Sequence, residues 1–266
     1  MNQGTSSFVR SWQGVRATVA SNAEMVLPAT TAVTALRKAR GQWDAALALL
    51  ITIDDEIDAV QKKIREIAAD PELSVQARQQ RITAAATAAR AQMNDLSRRA
   101  DAQLKTVLDG LRIASYPARP HPDDPAEETR VAGIKTDLRM VLDAEATDDL
   151  LGRLEALLVR AMGDGDRLLL WLLASTNWVV DYLTSRHTRH DATAWPYKVV
   201  ENLRSFDDGA TDTRTAYLVL SNPKRGIPAL LTVINASLPR ILEKATGSTG
   251  PFAPAAGVPR WTRISS

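Results

Sequence analysis

Basic and aromatic side chains concentrate in one short stretch of the second half of the chain. This basic cluster contains Arg186, His187, Arg189, His190, Trp195, Tyr197 and Lys198. Its cationic groups could contact phosphates while its rings stack on bases, so one hypothesis is a nucleic-acid-binding surface. On a helix, His187 and His190 would also share a face beside Asp191, where they could bind a metal. Only three histidines are present and a metal needs further ligands. The stronger interpretation is a cationic helix C-terminus that complements the helix dipole, followed by a polar loop.

Acidic side chains concentrate in the first half of the chain, at Asp54, Asp55, Glu56 and Asp58. Basic residues follow them closely, at Lys62, Lys63 and Arg65. Spacings such as that from Asp58 to Lys62 are typical of ion pairs on the surface of a helix. We therefore expect a solvated charged surface here rather than a pair of catalytic carboxylates.

Signatures of known enzyme chemistry are missing from the sequence. There is no phosphate-binding glycine loop, nucleophile elbow or dinucleotide-binding fingerprint. Asp164-Gly165-Asp166 begins like a calcium loop but lacks the later oxygen ligands. The chain contains no cysteine, which excludes disulfides and thiolate chemistry. We assign no catalytic residue, cofactor or metal ligand, and an enzyme without a recognisable signature stays as an alternative.

Two apolar ladders with a seven-residue period predict the helix that carries these acidic and basic residues. One is Leu36, Trp43, Leu50, Ile57 and Ile64, and the other is Ala39, Ala46, Ile53, Val60 and Ile67. The ladders lie three and four residues apart, which predicts one long helix with a coiled-coil seam. Asp70-Pro71 ends this helix, because proline lacks an amide hydrogen and disfavours helix in the residue before it.

A second helical pattern, from about Glu72 to Ser115, supplies a partner for this seam. Its apolar positions are Val75, Ile82, Ala86, Ala89, Met93, Leu96, Ala100, Val107 and Leu111. Folding it back antiparallel pairs Trp43 with Ala100, so that a large side chain meets a small one. The sequence thus predicts a long antiparallel coiled-coil hairpin, with an arm on the order of 60 Å.

The predicted fold is all-α and has five segments. They are an N-terminal arm at 1–28, the helical hairpin at 29–115, a proline-rich linker at 116–125, a compact helical bundle domain at 126–246 and a C-terminal tail at 247–266. The helical domain is expected to form around one apolar helix that carries Trp171 and Trp178. Tyr217–Leu220 and Leu230–Ile234 could instead pair as strands, although helices are favoured.

Isolated large residues in the two terminal segments are candidate partner-binding anchors. They are Phe8, Trp12, Phe252, Trp261 and Ile264. No periodic pattern around them would bury them within the chain, and aromatic anchors on flexible segments are a common way to bind proteins. We therefore expect extended tails that become ordered against neighbouring subunits. For residues 1–28, a short helix lying on the body is the alternative.

The stretch from Phe8 to Ala23 lacks the continuous apolar core of a signal peptide, so we expect a protein that is made in the cytoplasm and not secreted by this route. The most apolar stretch, Leu168 to Leu183, is too short and too polar to cross a membrane.

The layout of a helical arm, a compact body and clinging termini resembles that of accessory structural or assembly proteins of tailed bacteriophages. The resemblance implies a non-catalytic virion component whose partners are copies of itself or other subunits of an assembly. It rests on the layout and not on a motif, so it assigns no role to any single residue.

Overall fold

The computed structural model describes the backbone of residues 3–246 and the side chains of residues 12–236. Every regular element in this part of the chain is helical, so the predicted all-α class is confirmed and the strand alternative is wrong. The α-helices are α1 (Gln3–Val26), α2 (Thr34–Ala69), α3 (Val75–Ser115), α4 (Pro125–Asp143), α5 (Leu150–Asp164), α6 (Arg167–Ser175), α7 (Trp178–Ser185), α8 (Arg189–Asn202), α9 (Thr211–Leu220) and α10 (Ile227–Thr246).

The two longest helices, α2 and α3, pack against each other along the predicted apolar positions. Trp43, Ala46 and Leu50 of α2 are each 0% exposed, as is Ala100 of α3. The pattern on α3 also includes Leu104, which the sequence analysis did not assign to the seam. Large buried residues on α2 and several buried alanines on α3 allow the close approach that a dense interior requires.

Helix α1 corrects the prediction of an extended N-terminal arm. Residues 3–26 are helical, and Trp12, Val19 and Ala23 are buried, at no more than 1% exposure each. The Trp12 indole donates a 2.5 Å hydrogen bond to the Asp54 carboxylate of α2. The spacing of the buried positions is helical, but the interspersed polar residues made that pattern weak in the sequence. Helix α1 also packs against α9 and α10.

Buried apolar side chains form two clusters. The hairpin cluster combines α1, α2, α3, α9 and α10, together with Val200 of α8. The body cluster combines α4 to α8 with Leu203. The last two helices therefore bury their apolar faces with the hairpin rather than with the other helices of residues 126–246. The division into five segments stays a prediction.

The body cluster differs from its prediction, because its helices are short and its most apolar stretch is interrupted. The single helix expected through Trp171 and Trp178 is divided into α6 and α7, which are nine and eight residues long. Both tryptophans are half-buried, and the fully enclosed indole of this cluster belongs instead to Trp195, at 2% exposure. None of the helices in the described part of the chain has the length and apolar character that crossing a membrane requires.

Candidate functional site

The end of the hairpin farthest from its base is the most open part of the α2–α3 seam. We call residues 54–86 the distal hairpin. Along α2, exposure rises from 0% at Ile53 to 8% at Val60, and Ile64 and Ile67 are half-buried. On α3, Val75 was predicted to lie in the seam but is 83% exposed, because the seam ends before the first turn of that helix. Apolar side chains thus become accessible towards the turn.

The turn at the tip is held by local hydrogen bonds. The Asp70 carboxylate accepts from the backbone N–H of Glu72 at 2.9 Å, and the Arg78 guanidinium donates to the Asp70 carbonyl at 2.9 Å. The Ser74 hydroxyl accepts from the N–H of Ala77 and so caps α3. These bonds fix the angle between the helices at a place with little burial. The tip is therefore ordered before any partner arrives, which lowers the entropy cost of binding.

Two of the four clustered acidic side chains have hydrogen-bond or ion-pair partners within the chain. Asp54 accepts from the Trp12 indole and forms an ion pair with Arg16, so it anchors α1 on α2. Glu56 accepts a 2.7 Å hydrogen bond from Gln92 and so links α2 to α3. The sequence analysis missed both roles, because the partners lie 36 or more residues away along the chain.

The other two acids, Asp55 and Asp58, are exposed and belong to no ion pair in the described part of the chain. The predicted ion pair between Asp58 and Lys62 is accordingly absent there, although their spacing permits it. Exposed side chains gain little from such a pair, since water screens the charges and pairing costs side-chain entropy. Lys62, Lys63 and Arg65 are also exposed, which leaves an acidic and a basic patch side by side on α2.

Most of the partner-binding anchors predicted in the terminal segments lie outside the described side chains: Phe8, Phe252, Trp261 and Ile264. Trp12 is described, and its 1% exposure places it in the hairpin cluster. Its ring is therefore an intramolecular anchor and is not available to a partner in this conformation.

The basic cluster is not gathered into one surface. Trp195 lies inside the body cluster, where its indole donates to the Leu173 carbonyl at 3.1 Å, so its ring cannot stack on a base. Lys198 lies 3.6 Å from carboxylate oxygens of both Glu155 and Glu201, and Tyr197 packs against the hairpin cluster. Burial of Trp195, partial burial of Tyr197 and local neutralisation of Lys198 remove much of what a nucleic acid would contact.

The remaining members of the basic cluster surround the turn between α7 and α8. Arg186 lies 3.4 Å from Asp143, and His187 adopts a left-handed conformation with φ of 64°. Arg189 and His190 are exposed at the start of α8, so for these two residues the predicted helix C-terminus is wrong. Only Arg186, which caps the end of α7, fits that prediction. Among the described side chains, no group of three or more His, Asp or Glu residues could hold a metal ion.

A cleft of about 430 Å³ lies where the hairpin base meets the body cluster. Its lining includes Tyr116, Arg167, Phe206, Asp208 and Thr213. Beside it, the fully buried Arg214 donates to the carbonyls of Ser115 and Phe206 and, at 2.5 Å, to the Asp208 carboxylate. The sequence analysis missed Arg214, whose only signal is a charge on the apolar face of α9.

The charges beside Arg214 are already paired, because the Asp208 carboxylate accepts from its guanidinium. Asp208 also accepts from the N–H of Ala210 at the start of α9 and so occupies the position that an anionic ligand would take. Burial raises the pKa of the Tyr116 hydroxyl, although Arg112 nearby opposes this shift. A phenol with a raised pKa is a poor base at neutral pH, and we infer a structural role for these groups.

Comparison with protein families, curated proteins and solved structures finds no match to this chain.

Proposed function

We propose that this chain is a non-catalytic structural or assembly protein that contacts other proteins through its distal hairpin. The observation that carries the proposal is the loss of burial along the α2–α3 seam, from 0% exposure at Ile53 to 83% at Val75. Apolar side chains on a preformed helical surface gain free energy when a partner covers them. Exposed Asp55, Asp58, Lys62 and Arg65 on the same part of α2 provide charges that can select the partner.

The physical design suits assembly better than catalysis. A helical hairpin projects a contact surface away from the body, and its turn is already fixed by Asp70 and Ser74. In this proposal the partners are other subunits of an assembly, and a bacteriophage virion is the setting that the resemblance in layout implies. The proposed contact surface is the distal hairpin and not the N-terminal arm, because Trp12 is buried within the chain.

The nucleic-acid alternative would have to use the exposed side chains of Arg189 and His190 without the ring of Trp195. Phosphate contacts alone give binding that weakens steeply with salt. A gel shift at low and moderate salt tests this alternative, and binding of a nucleic acid at low salt that is lost at moderate salt would favour it over protein assembly.

The experiment that tests the proposal compares two apolar-to-acidic substitutions on one hairpin. Val75→Glu lies at the tip, where a negative charge in the first turn of α3 also favours the helix dipole, so folding should be retained. Ile113→Glu lies near the base and is the control, because Ile113 is 65% exposed. Its negative charge in the last turn of α3 opposes the helix dipole, which should cost about 0.3–1 kcal/mol and leave the chain folded. Each full-length variant is produced in cells that make the protein naturally, and size fractionation measures how much enters large complexes.

We expect Val75→Glu to shift the protein from the large complexes to the free fraction, and Ile113→Glu to behave like the unchanged chain. Equal incorporation of all three proteins would contradict the proposed role of the tip. Circular dichroism of the purified variants checks that helix content is retained.

A further inference from the structure

The solvent-facing side of α2 carries charges in an order that is complementary to itself. We call six residues at alternating spacings of four and three the outer face of α2: Ile51, Asp55, Asp58, Lys62, Arg65 and Ala69. Such spacing places them in one line along a helix. All six are exposed, including Ile51, which has 47% of its surface accessible. Along this line the charges are two negative and then two positive.

The charges on this face are not used within the part of the chain that the structure describes. Asp55, Asp58 and Lys62 form no hydrogen bond or ion pair with any of its residues, and Arg65 donates only to the Gln61 carbonyl of its own helix at 3.2 Å. Asp54, one position away, is instead neutralised by Arg16. Because Asp54 is four residues from Asp58, the outer face borders the surface that holds α1.

We propose that a second copy of this chain binds the outer face of α2, with the two α2 helices antiparallel across a two-fold axis near residue 60. The axis pairs Asp55 of each copy with Arg65 of the other, and Asp58 with Lys62. Ile51 then meets Ala69, which adds an apolar contact at each end. This inference rests on the proposed function, because it names the partner that the distal hairpin binds.

A two-fold axis makes the interface isologous, so every favourable pair occurs twice. Four ion pairs thus form between copies although only two kinds of pair are present. Ala59 is exposed and lies next to the axis, where its small side chain allows the two helices to approach closely. Glu66 of one copy approaches Asp54 of the other, and the existing contact of Asp54 with Arg16 reduces repulsion there.

The order of charges also selects the orientation. In a parallel arrangement each residue would face its own counterpart, so that acid would meet acid and base would meet base. Juxtaposed like charges disfavour association, whereas the antiparallel arrangement matches all four. The contact is small and mostly charged, so we expect a weak dimer that dissociates as salt is raised.

The test uses two complementary charge reversals in the full-length chain. The first variant is Asp55→Lys with Asp58→Lys, which makes the whole outer face basic. The second is Lys62→Glu with Arg65→Glu, which makes it acidic. Sedimentation equilibrium at low salt measures the unchanged chain, each variant alone and an equimolar mixture of the two. The control is Arg98→Glu, which reverses the charge of a side chain that is 79% exposed on α3, away from this face.

We expect each variant alone to dimerise at least 100-fold more weakly than the unchanged chain, because all four pairs become repulsive. The mixture should recover a one-to-one dimer, since every pair is then of opposite charge. The control should dimerise like the unchanged chain. Monomeric behaviour of the unchanged chain, or a dimer that the reversals do not alter, would overturn the inference.

The outcome is separable from that of the proposed function. A monomeric chain that still enters large complexes in a manner sensitive to Val75→Glu would overturn the self-association and leave the assembly role standing. A charge-dependent dimer whose chain never enters larger complexes would leave the dimer standing and overturn the assembly role beyond it.

Discussion

The hairpin cluster and the body cluster bury apolar side chains in different ways. In the hairpin cluster, α2 and α3 have 36 and 41 residues, and their buried positions repeat with the helical period. In the body cluster, α5, α6 and α7 have only 15, 9 and 8 residues, so no periodic pattern continues for long. A long helix is specified by its own sequence, whereas short helices depend on the packing of their neighbours.

Polar contacts follow the same division. In the body cluster, the Trp195 indole donates to the Leu173 carbonyl, and the Tyr182 hydroxyl donates to Asp143 at 2.7 Å. The Glu127 side chain, only 1% exposed, accepts from Arg119 at 2.6 Å and from the N–H of His121. In the hairpin cluster, the Trp43 indole nitrogen is buried without a partner in the described part of the chain. The hairpin cluster has polar contacts of its own, at Asp54 and Glu56, but these lie at the edge of a long apolar seam. In the body cluster, polar contacts join short helices that share no such seam.

The largest effect that we expect comes from Arg214, which joins the two regions. Arg214→Met leaves the carbonyls of Ser115 and Phe206 and the Asp208 carboxylate without their donor. Removing a buried charged partner should lower the free energy of unfolding by about 3–5 kcal/mol. The control, Arg98→Met, removes a side chain that is 79% exposed and should change it little. Denaturant unfolding monitored by tryptophan fluorescence measures both, and similar losses in the two variants would contradict the joining role.

The second prediction compares the two ends of the seam. Leu50→Ala removes a side chain with 0% exposure and should lower the free energy of unfolding by about 2–5 kcal/mol. Ile67→Ala, in the half-buried distal hairpin, should lower it by only about 1 kcal/mol, since less apolar surface is lost. Thermal unfolding followed by circular dichroism gives both values. Equal losses would mean that the seam is as tightly packed at the tip as at its middle.

The contrast between the long helices of the hairpin cluster and the short helices of the body cluster also decides how much the sequence could predict. The apolar ladder through Trp43 and Leu50, the break at Pro71 and the all-α class were readable, because each is a local signal. For residues 1–28 the sequence left an extended arm and a helix on the body both open, because Asp54, which holds Trp12, lies 42 residues away. Of the candidate site, the sequence showed the charged patches of α2. It could not show that Val75 is exposed, which depends on where the two helices stop packing.

The body cluster illustrates the limit more clearly. The expected single helix through Trp171 and Trp178 breaks at Thr176 and Asn177. At this break the Thr176 hydroxyl donates a hydrogen bond to the Leu172 carbonyl. Pro196 lies inside α8, where a proline is locally unfavourable because it lacks the amide hydrogen of a helical residue. Both departures are consistent with tertiary packing overriding local propensity, which no pattern within a short window reveals.

The third prediction compares a buried tryptophan from each region. Trp195→Phe removes the donor to the Leu173 carbonyl near the end of α6, where helical carbonyls lack backbone partners. Trp43→Phe removes an indole nitrogen that has no partner in the described part of the chain. Because the loss of volume is the same, Trp195→Phe should cost about 1 kcal/mol more, through its hydrogen bond. Denaturant midpoints of the two variants measure the difference, and a larger loss for Trp43→Phe would reverse this assignment of polar contacts.

The smallest effect at neutral pH, and the last prediction, concerns two tyrosines in different clusters. Burial is the main cause that raises the pKa of Tyr217 in the hairpin cluster to about 12. Burial, followed by the hydrogen bond to Asp143, raises the pKa of Tyr182 in the body cluster to about 12. The ordinary value is 10.0, so the folded state holds each proton more tightly than the unfolded state.

The stability that these hydroxyls contribute is therefore fully present below pH 10 and is lost as pH rises towards 12. Tyr217→Phe and Tyr182→Phe should each reduce the loss of stability across this interval, since phenylalanine has no proton to release. Only Tyr182→Phe should also destabilise the protein at pH 7, by about 1 kcal/mol, through the lost bond to Asp143. Denaturant unfolding at successive pH values measures both effects, with tyrosinate absorbance to follow ionisation. If the free energy of unfolding falls with pH as steeply in both variants as in the unchanged chain, neither cluster raises the pKa of its tyrosine hydroxyl.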